Sequence, residues 1–272
     1  MRSKRIVYGG KMKKQFTMDD IRIFHEDNSV LVVVKPQNIP SQPDESGDTD
    51  MLTLLKQYVK QKYNKPGEVY LGLVHRLDRP TGGVMVFARN SKSAERLSAQ
   101  IREGKMNKMY LATVVNTPKQ RKGELVHYLK KNALTNNVYV ATFGTTGAKC
   151  ARLDYEVLEH TDQLALVKVR LETGRSHQIR VQFSAIGSPL FGDARYGGDI
   201  VKGRNLALWA YQLSFDHPVS KERMVFVCYP PDTHPWNLFD IASHLDVYKD
   251  SDDFEEGQLN ISRKVEVSDN LD

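Results

Sequence analysis

Pro80, Gly82 and Gly83 punctuate the chain just before the apolar run Val84-Met85-Val86-Phe87-Ala88, and no other stretch limits the local fold as strongly. Proline offers no backbone donor to a sheet ladder, so a central strand cannot run back through residue 80. The two glycines accept positive φ or the close approach of another backbone. A tight, fixed loop is the expected result. It reads His75-Arg76-Leu77-Asp78-Arg79-Pro80-Thr81-Gly82-Gly83 and sets one carboxylate between two guanidinium groups. On an extended backbone Arg76 and Asp78 project to one side, His75 and Leu77 to the other. Flanked by arginines, Asp78 is expected to stay ionised, which suits a nucleophile or general base. The plain alternative is a solvated turn with a surface ion pair worth at most about 1 kcal/mol.

A second segment, Arg170 to Phe183, reads as a strand end, a turn at Gly174 and a helix that stops at Gly187. Ile179, Phe183 and Ile186 recur at i, i+4 and i+7 as a core-facing stripe, while His177, Arg180 and Ser184 fall on a neighbouring face. Arg180 is therefore aimed, although any nearby acid would satisfy it. His177 reads as a structural histidine.

These segments carry a resemblance. His75-Arg76-Leu77-Asp78 with Thr81 and Gly83, Thr173-Gly174-Arg175-Ser176-His177-Gln178-Ile179-Arg180, Gly187-Ser188-Pro189-Leu190-Phe191-Gly192-Asp193 and Leu206-Ala207-Leu208 resemble, in the same order, the RluA-type pseudouridine synthase family. With Val33-Val34-Lys35-Pro36, the resemblance spans roughly residues 18–230. It implies that Asp78 is the catalytic aspartate, that Arg76 helps fill the space left by a flipped nucleotide, and that Arg180 is the basic partner of Asp78. It further implies that Tyr110 packs against the target uracil, and that His75, Thr81 and Gly83 support the loop. From its strand position alone, Tyr110 reads more commonly as an ordinary core aromatic. The chain departs from the family pattern at Gly82, commonly Ser, at Ser176, frequently Thr, and at Gln182 and Trp209, where His is often found.

The implied reaction breaks the N-glycosidic bond of a uridine and rejoins the same base through carbon. No atoms are gained, so no cofactor is expected. Attack by Asp78 on the ribose, attack on the base, and removal of a ribose proton all use the ionised carboxylate, and these routes stay open. A stacked target base must flip out at a cost of about a few kcal/mol, which stacking on an aromatic partly offsets.

Charge agrees with an RNA partner. The 272 residues carry a formal net charge of +6. From Asp246 to Asp272 there are nine acids and three bases, so the preceding residues carry +12. Such a surface favours a polyanion, although a basic surface without a partner is the bland reading. Cys150 and Cys228 lack metal or redox spacing and read as reduced bystanders. The histidines show no HExxH arrangement, so no metal is expected. No apolar run has the length of a membrane span and Met1-Arg2-Ser3-Lys4-Arg5 precedes no signal-type core, so a cytoplasmic protein is expected. A self-contained domain favours a monomer.

The chain divides into a flexible basic arm (1–17), a catalytic domain (18–247) and a flexible acidic tail (248–272). Ile21–Phe24 and Val30–Val34 form a hairpin, Met51–Tyr63 a helix, and Ser91 caps a helix from Lys92 to about Arg102. Strands are expected over 109–115, 138–143, 152–158, 164–171, 206–215 and 225–227, and a short helix at Trp236-Asn237-Leu238-Phe239. Many strands and few helices indicate an α+β fold, a mixed, largely antiparallel sheet with flanking helices and a central cleft. Residues 117–152, rich in lysine, are the candidate RNA-gripping loop or hairpin. Two other functions compete: a non-catalytic RNA-binding protein on this scaffold, and a hydrolase pairing Asp78 with Asp193, where a turn-forming role fits Asp193 better.

Overall fold

A computed structural model describes residues 5–8, 11–198, 204–245 and 257–259. The strands β1 (Arg5–Tyr8) and β2 (Lys11–Lys14) pair antiparallel within the basic arm, where the sequence reading placed no element. The strands β3 (Arg22–Glu26) and β4 (Val30–Lys35) form the expected hairpin. Helix α1 (Met51–Lys62) follows, started by the Asp50 side chain on the Thr53 amide. Next come β5 (Gly72–Leu73), β6 (Gly82–Ala88) and α2 (Ser91–Arg102). The cap of α2 is Asn90, which accepts from the Ser93 amide, so the expected Ser91 cap is shifted by one residue.

The second half supplies β7 (Asn107–Val115), β8 (Lys122–Lys131), β9 (Val138–Ala141), β10 (Lys149–His160), β11 (Leu164–Leu171), α3 (Gln178–Ala185), β12 (Leu208–Asp216), β13 (Arg223–Val227), α4 (Ile241–His244) and β14 (Gly257–Leu259). The candidate RNA-gripping segment is thus mostly the strand pair β8 and β9, at one edge of the sheet. Within the acidic tail, β14 pairs with β13, whereas 248–256 and 260–272 lie outside the described residues.

Twelve of these strands make one sheet, with the spine β3-β4-β6-β12-β7-β11-β10-β8-β9. All its pairings are antiparallel except β6 with β12. This is the mixed, mostly antiparallel α+β fold the strand pattern called for. Because β6 lies inside the sheet, every residue from Gly82 to Ala88 is buried. One sheet face packs on α1 and α3 through Leu54, Leu55, Val59, Ile179 and Phe183. The other packs on α2 and on the Trp236 segment. Ile186, expected in the core stripe of α3, is exposed, because the helix ends at Ala185 and the chain turns at Gly187 with φ +80°.

The parallel contact explains both glycines. Gly83 has φ +120°, and a Cβ there would lie 2.2 Å from the Ala210 carbonyl oxygen. A Cβ at Gly82 would lie 2.1 Å from the Trp209 ring. Two departures from the family pattern are therefore one: the indole of Trp209, donating to the Cys228 carbonyl at 2.9 Å, occupies the space a side chain at residue 82 would need. Gly82→Ala is expected to destabilise the fold by about 2 kcal/mol or more through overpacking. Adding Trp209→His is expected to restore part of that loss, as a denaturant-midpoint double-mutant cycle would reveal. Simple additivity of the two changes would contradict the packing account.

Candidate active site

The loop bearing Asp78 is held by its carbonyls. The Leu77 carbonyl accepts from Ser41 Oγ at 2.7 Å, and the Asp78 carbonyl from the Thr81 amide at 3.0 Å. The Arg79 carbonyl accepts from the Asn38 amide at 2.8 Å and Lys35 Nζ at 3.0 Å. The Pro80 carbonyl accepts from Gln37 Nε2 at 3.1 Å and the Thr81 carbonyl from Lys35 Nζ at 2.7 Å. Five consecutive carbonyls are thus answered, mostly by residues 35–41. Lys35 is fully buried, and burial pushes its ammonium down to about 7 against the opposing charge of Asp78.

Arg76 and Asp78 face the cleft while Leu77 is buried in the core, as the extended alternation requires. His75 turns inward and its Nε2 accepts from the Val86 amide at 3.1 Å. Burial holds this imidazole neutral, pushed down to about 3. Thr81 is buried, and among the described residues its hydroxyl has no partner.

The expected clamp by two neighbouring arginines is not what surrounds Asp78. Arg79 turns away to Asp48, at 2.7 Å, and Asp44, at 3.1 Å. Arg76 is exposed along the cleft. The cation at Asp78 is Arg180 of α3, whose Nη1 donates to Asp78 Oδ2 at 3.2 Å. Its other nitrogens are taken by Asp193: Nε donates to Oδ2 at 2.8 Å and Nη2 to Oδ1 at 2.7 Å. Asp193 also accepts from the Arg195 and Tyr196 amides at 3.0 and 3.2 Å, so its turn-forming role coexists with a buried ion pair. Burial alone would raise the Asp193 carboxyl, but Arg180 and the two amides hold it below its ordinary range. With its acceptors used and no exposure, Asp193 offers no second carboxylate for hydrolysis. The Asp78 side chain is 27% exposed against 7% for Arg180, so Asp78 is the member of the group that faces solvent.

His177 begins α3 in the left-handed conformation, φ 52°. Its Nδ1 meets Tyr196 Oη at 2.7 Å, its Nε2 lies 3.9 Å from Asp78 Oδ2, and burial lowers its basicity. The structural-histidine reading missed this proximity. Tyr110, on β7, is buried, and burial with the charge of Asp78 raises its phenol. A cleft of two lobes, about 710 and 830 Å³, meets at Arg76, Asp78, His177 and Arg180, with Tyr110 lining the first lobe. Lys35 and Asp193 had local signals, a cation ending an apolar strand and an acid between small residues, but nothing in either says what it touches. Among the described residues no cluster of His, Cys, Asp or Glu suits a metal, and no helix is long and apolar enough to cross a membrane.

The described geometry coincides with sequence kinship. The family model for RNA pseudouridylate synthase matches residues 29–185, which include Asp78, Tyr110 and Arg180. The chain belongs to the RluA-type RNA pseudouridine synthases. An uncharacterized RNA pseudouridine synthase of Aquifex aeolicus is 33% identical over 225 residues, covering 78% of this chain and 70% of the relative. Ribosomal large subunit pseudouridine synthase D of Pseudomonas aeruginosa is 31% identical over 242 residues, 80% of this chain and 71% of that one. The solved structure of human RNA pseudouridylate synthase domain containing 4 superposes with a TM-score of 0.65 at 25% identity, covering 77% of this chain and 88% of that chain. The protein is accordingly an RNA pseudouridine synthase, an isomerase.

Asp193→Asn in this synthase is expected to lower stability by about 3 kcal/mol at pH 7, since it leaves a buried guanidinium short of its main partner. A carboxyl held below 3.8 contributes fully above that pH and loses its contribution as pH falls further. The gap between wild type and variant, from urea midpoints at pH 7 and pH 3, is expected to narrow at the lower pH. An equal gap at both would contradict the ion-pair assignment.

Proposed function

We propose that the synthase isomerises a uridine flipped out of a structured RNA, with the carboxylate of Asp78 as its catalytic group. The observation that carries this is the position of Asp78: a half-exposed carboxylate hydrogen-bonded to the buried Arg180–Asp193 pair, at the junction of two lobes, with Tyr110 beside it. Arg180 orients the carboxylate through its Nη1 hydrogen bond. Tyr110 offers a face for the uracil and Arg76, exposed at the junction, fills the stack that the base leaves. Attack on the ribose, attack on the base and proton removal from the ribose all use the same oxygens, and each returns the carboxylate unchanged.

Relatives named as ribosomal large subunit pseudouridine synthases favour rRNA as the target, with tRNA as the other candidate, in the cytoplasm. The lysine-rich segment around β8 and β9 supplies a surface for RNA phosphates, with Lys131 lining the second lobe of the cleft. Residues 18–247 act as the catalytic domain, working as a monomer and without metal or cofactor.

Mapping pseudouridines in cellular RNA with and without the gene identifies the target. On that RNA, Asp78→Asn is expected to reduce pseudouridine formation below detection while leaving the melting temperature unchanged and RNA affinity within a few-fold of wild type. Substantial turnover by the variant would refute the role given to Asp78. Intact RNA binding by a wild type that forms no pseudouridine would favour a purely binding protein.

A further inference from the structure

Lys108 lies on β7 two residues before Tyr110 and lines the same lobe of the cleft as Asp78. Its side chain is half-buried, and that burial pushes its ammonium below the usual lysine range. Among the described residues that ammonium has no hydrogen-bond or ion-pair partner. A Cβ on Gly174 would stand 3.4 Å from Lys108 Nζ, so the turn before α3 reaches close to the ammonium without contributing an acceptor.

Beside it stands a second unanswered donor. His75 is neutral and its Nε2 accepts from the Val86 amide, so its proton is on Nδ1. Nδ1 is buried and meets no acceptor among the described residues, and Lys108 is near enough for its charge to be felt by the ring. A half-buried cation and a buried N–H, both lacking acceptors, are costly to the protein alone. Both residues line the lobe that Tyr110 and Asp78 share.

We propose that Lys108 and His75 Nδ1 form a subsite for an anionic oxygen of the nucleotide held at Asp78. This rests on the function proposed above. Two parts of one nucleotide carry that chemistry. One is a backbone phosphate. The other is the uracil itself: when the C1′–N1 bond breaks, its electron pair spreads from N1 to O2 and O4, and the charge is discharged when C1′–C5 forms and the C5 proton is transferred to N1. In the second case the subsite stabilises charge at the base end while Asp78 acts at the other.

The test uses the full chain, transcribed large-subunit rRNA as probe, and the Lys108→Met and Lys108→Arg variants. RNA affinity is read at several salt concentrations and pseudouridine formation in single turnovers. A phosphate contact predicts weaker binding by Lys108→Met, a salt slope smaller by about one charge, and a rate within a few-fold of wild type. A contact to the departing uracil predicts unchanged affinity and slope with a rate lower by about 100-fold. In either case Lys108→Arg, which keeps the charge, retains more of the lost property than Lys108→Met. Lys108→Met matching wild type in affinity, slope and rate would overturn the subsite. Should Lys108→Met fail to fold, Lys108→Arg decides: function near wild type supports the subsite, and loss equal to a deletion of Asp78 overturns it. A wild type that turns over beside an unaffected variant defeats only the subsite, whereas a wild type inert on every RNA defeats the function on which it rests.

Discussion

One guanidinium organises the site by serving two carboxylates. Arg180 is too buried to stand alone, and Asp193, buried with it, takes two of its three nitrogens. That pairing answers the charge of the arginine and locks its plane, leaving Nη1 aimed at Asp78. Because Asp193 is already satisfied by two backbone amides, its own position is set by the turn after Gly192. The orientation of Asp78 is thereby traced to a turn more than a hundred residues away along the chain. The Tyr196 ring, under the guanidinium at 5.1 Å, completes the cradle, and its hydroxyl reaches both His177 and the Val138 amide.

The other half of the constraint is backbone. A loop whose carbonyls from 77 to 81 all accept hydrogen bonds has little freedom to move its side chain. Most of the donors come from one short segment, Lys35 to Ser41. A buried lysine is an expensive way to hold a loop, yet a single ammonium reaches three carbonyls, which an apolar side chain cannot do. Gly83 then lets β6 lie against the backbone of β12, so the loop is anchored at its exit as well.

Local pattern revealed part of this arrangement. The hairpin of β3 and β4, helix α1 and the strands on either side of α3 were legible because apolar periodicity and turn residues mark them directly. So were Asp78 and Arg180, each embedded in a short motif with a distinctive order. Strand β8 was not, because only Leu125 and Leu129 of its ten residues are buried and the rest, next to the edge strand β9, carry little apolar periodicity. Asp193 and Lys35 carry their meaning in long-range contacts that no spacing encodes. The arginines flanking Asp78 misled for the same reason: sequence adjacency placed Arg79 beside the carboxylate, whereas two acids on the 44–48 loop draw it away. Gly82 and Trp209, each an isolated departure from the family pattern, become intelligible only as a touching pair.

The central claim is that this framework presents Asp78 to an extruded uridine. Its most direct test is the structure of the Asp78→Asn variant bound to its mapped RNA. The account predicts the target base out of the RNA stack, its ring against Tyr110, with residue 78 beside the glycosidic bond and still within reach of Arg180. A target base left within the RNA stack, or docked on a surface remote from residues 78 and 110, would contradict it.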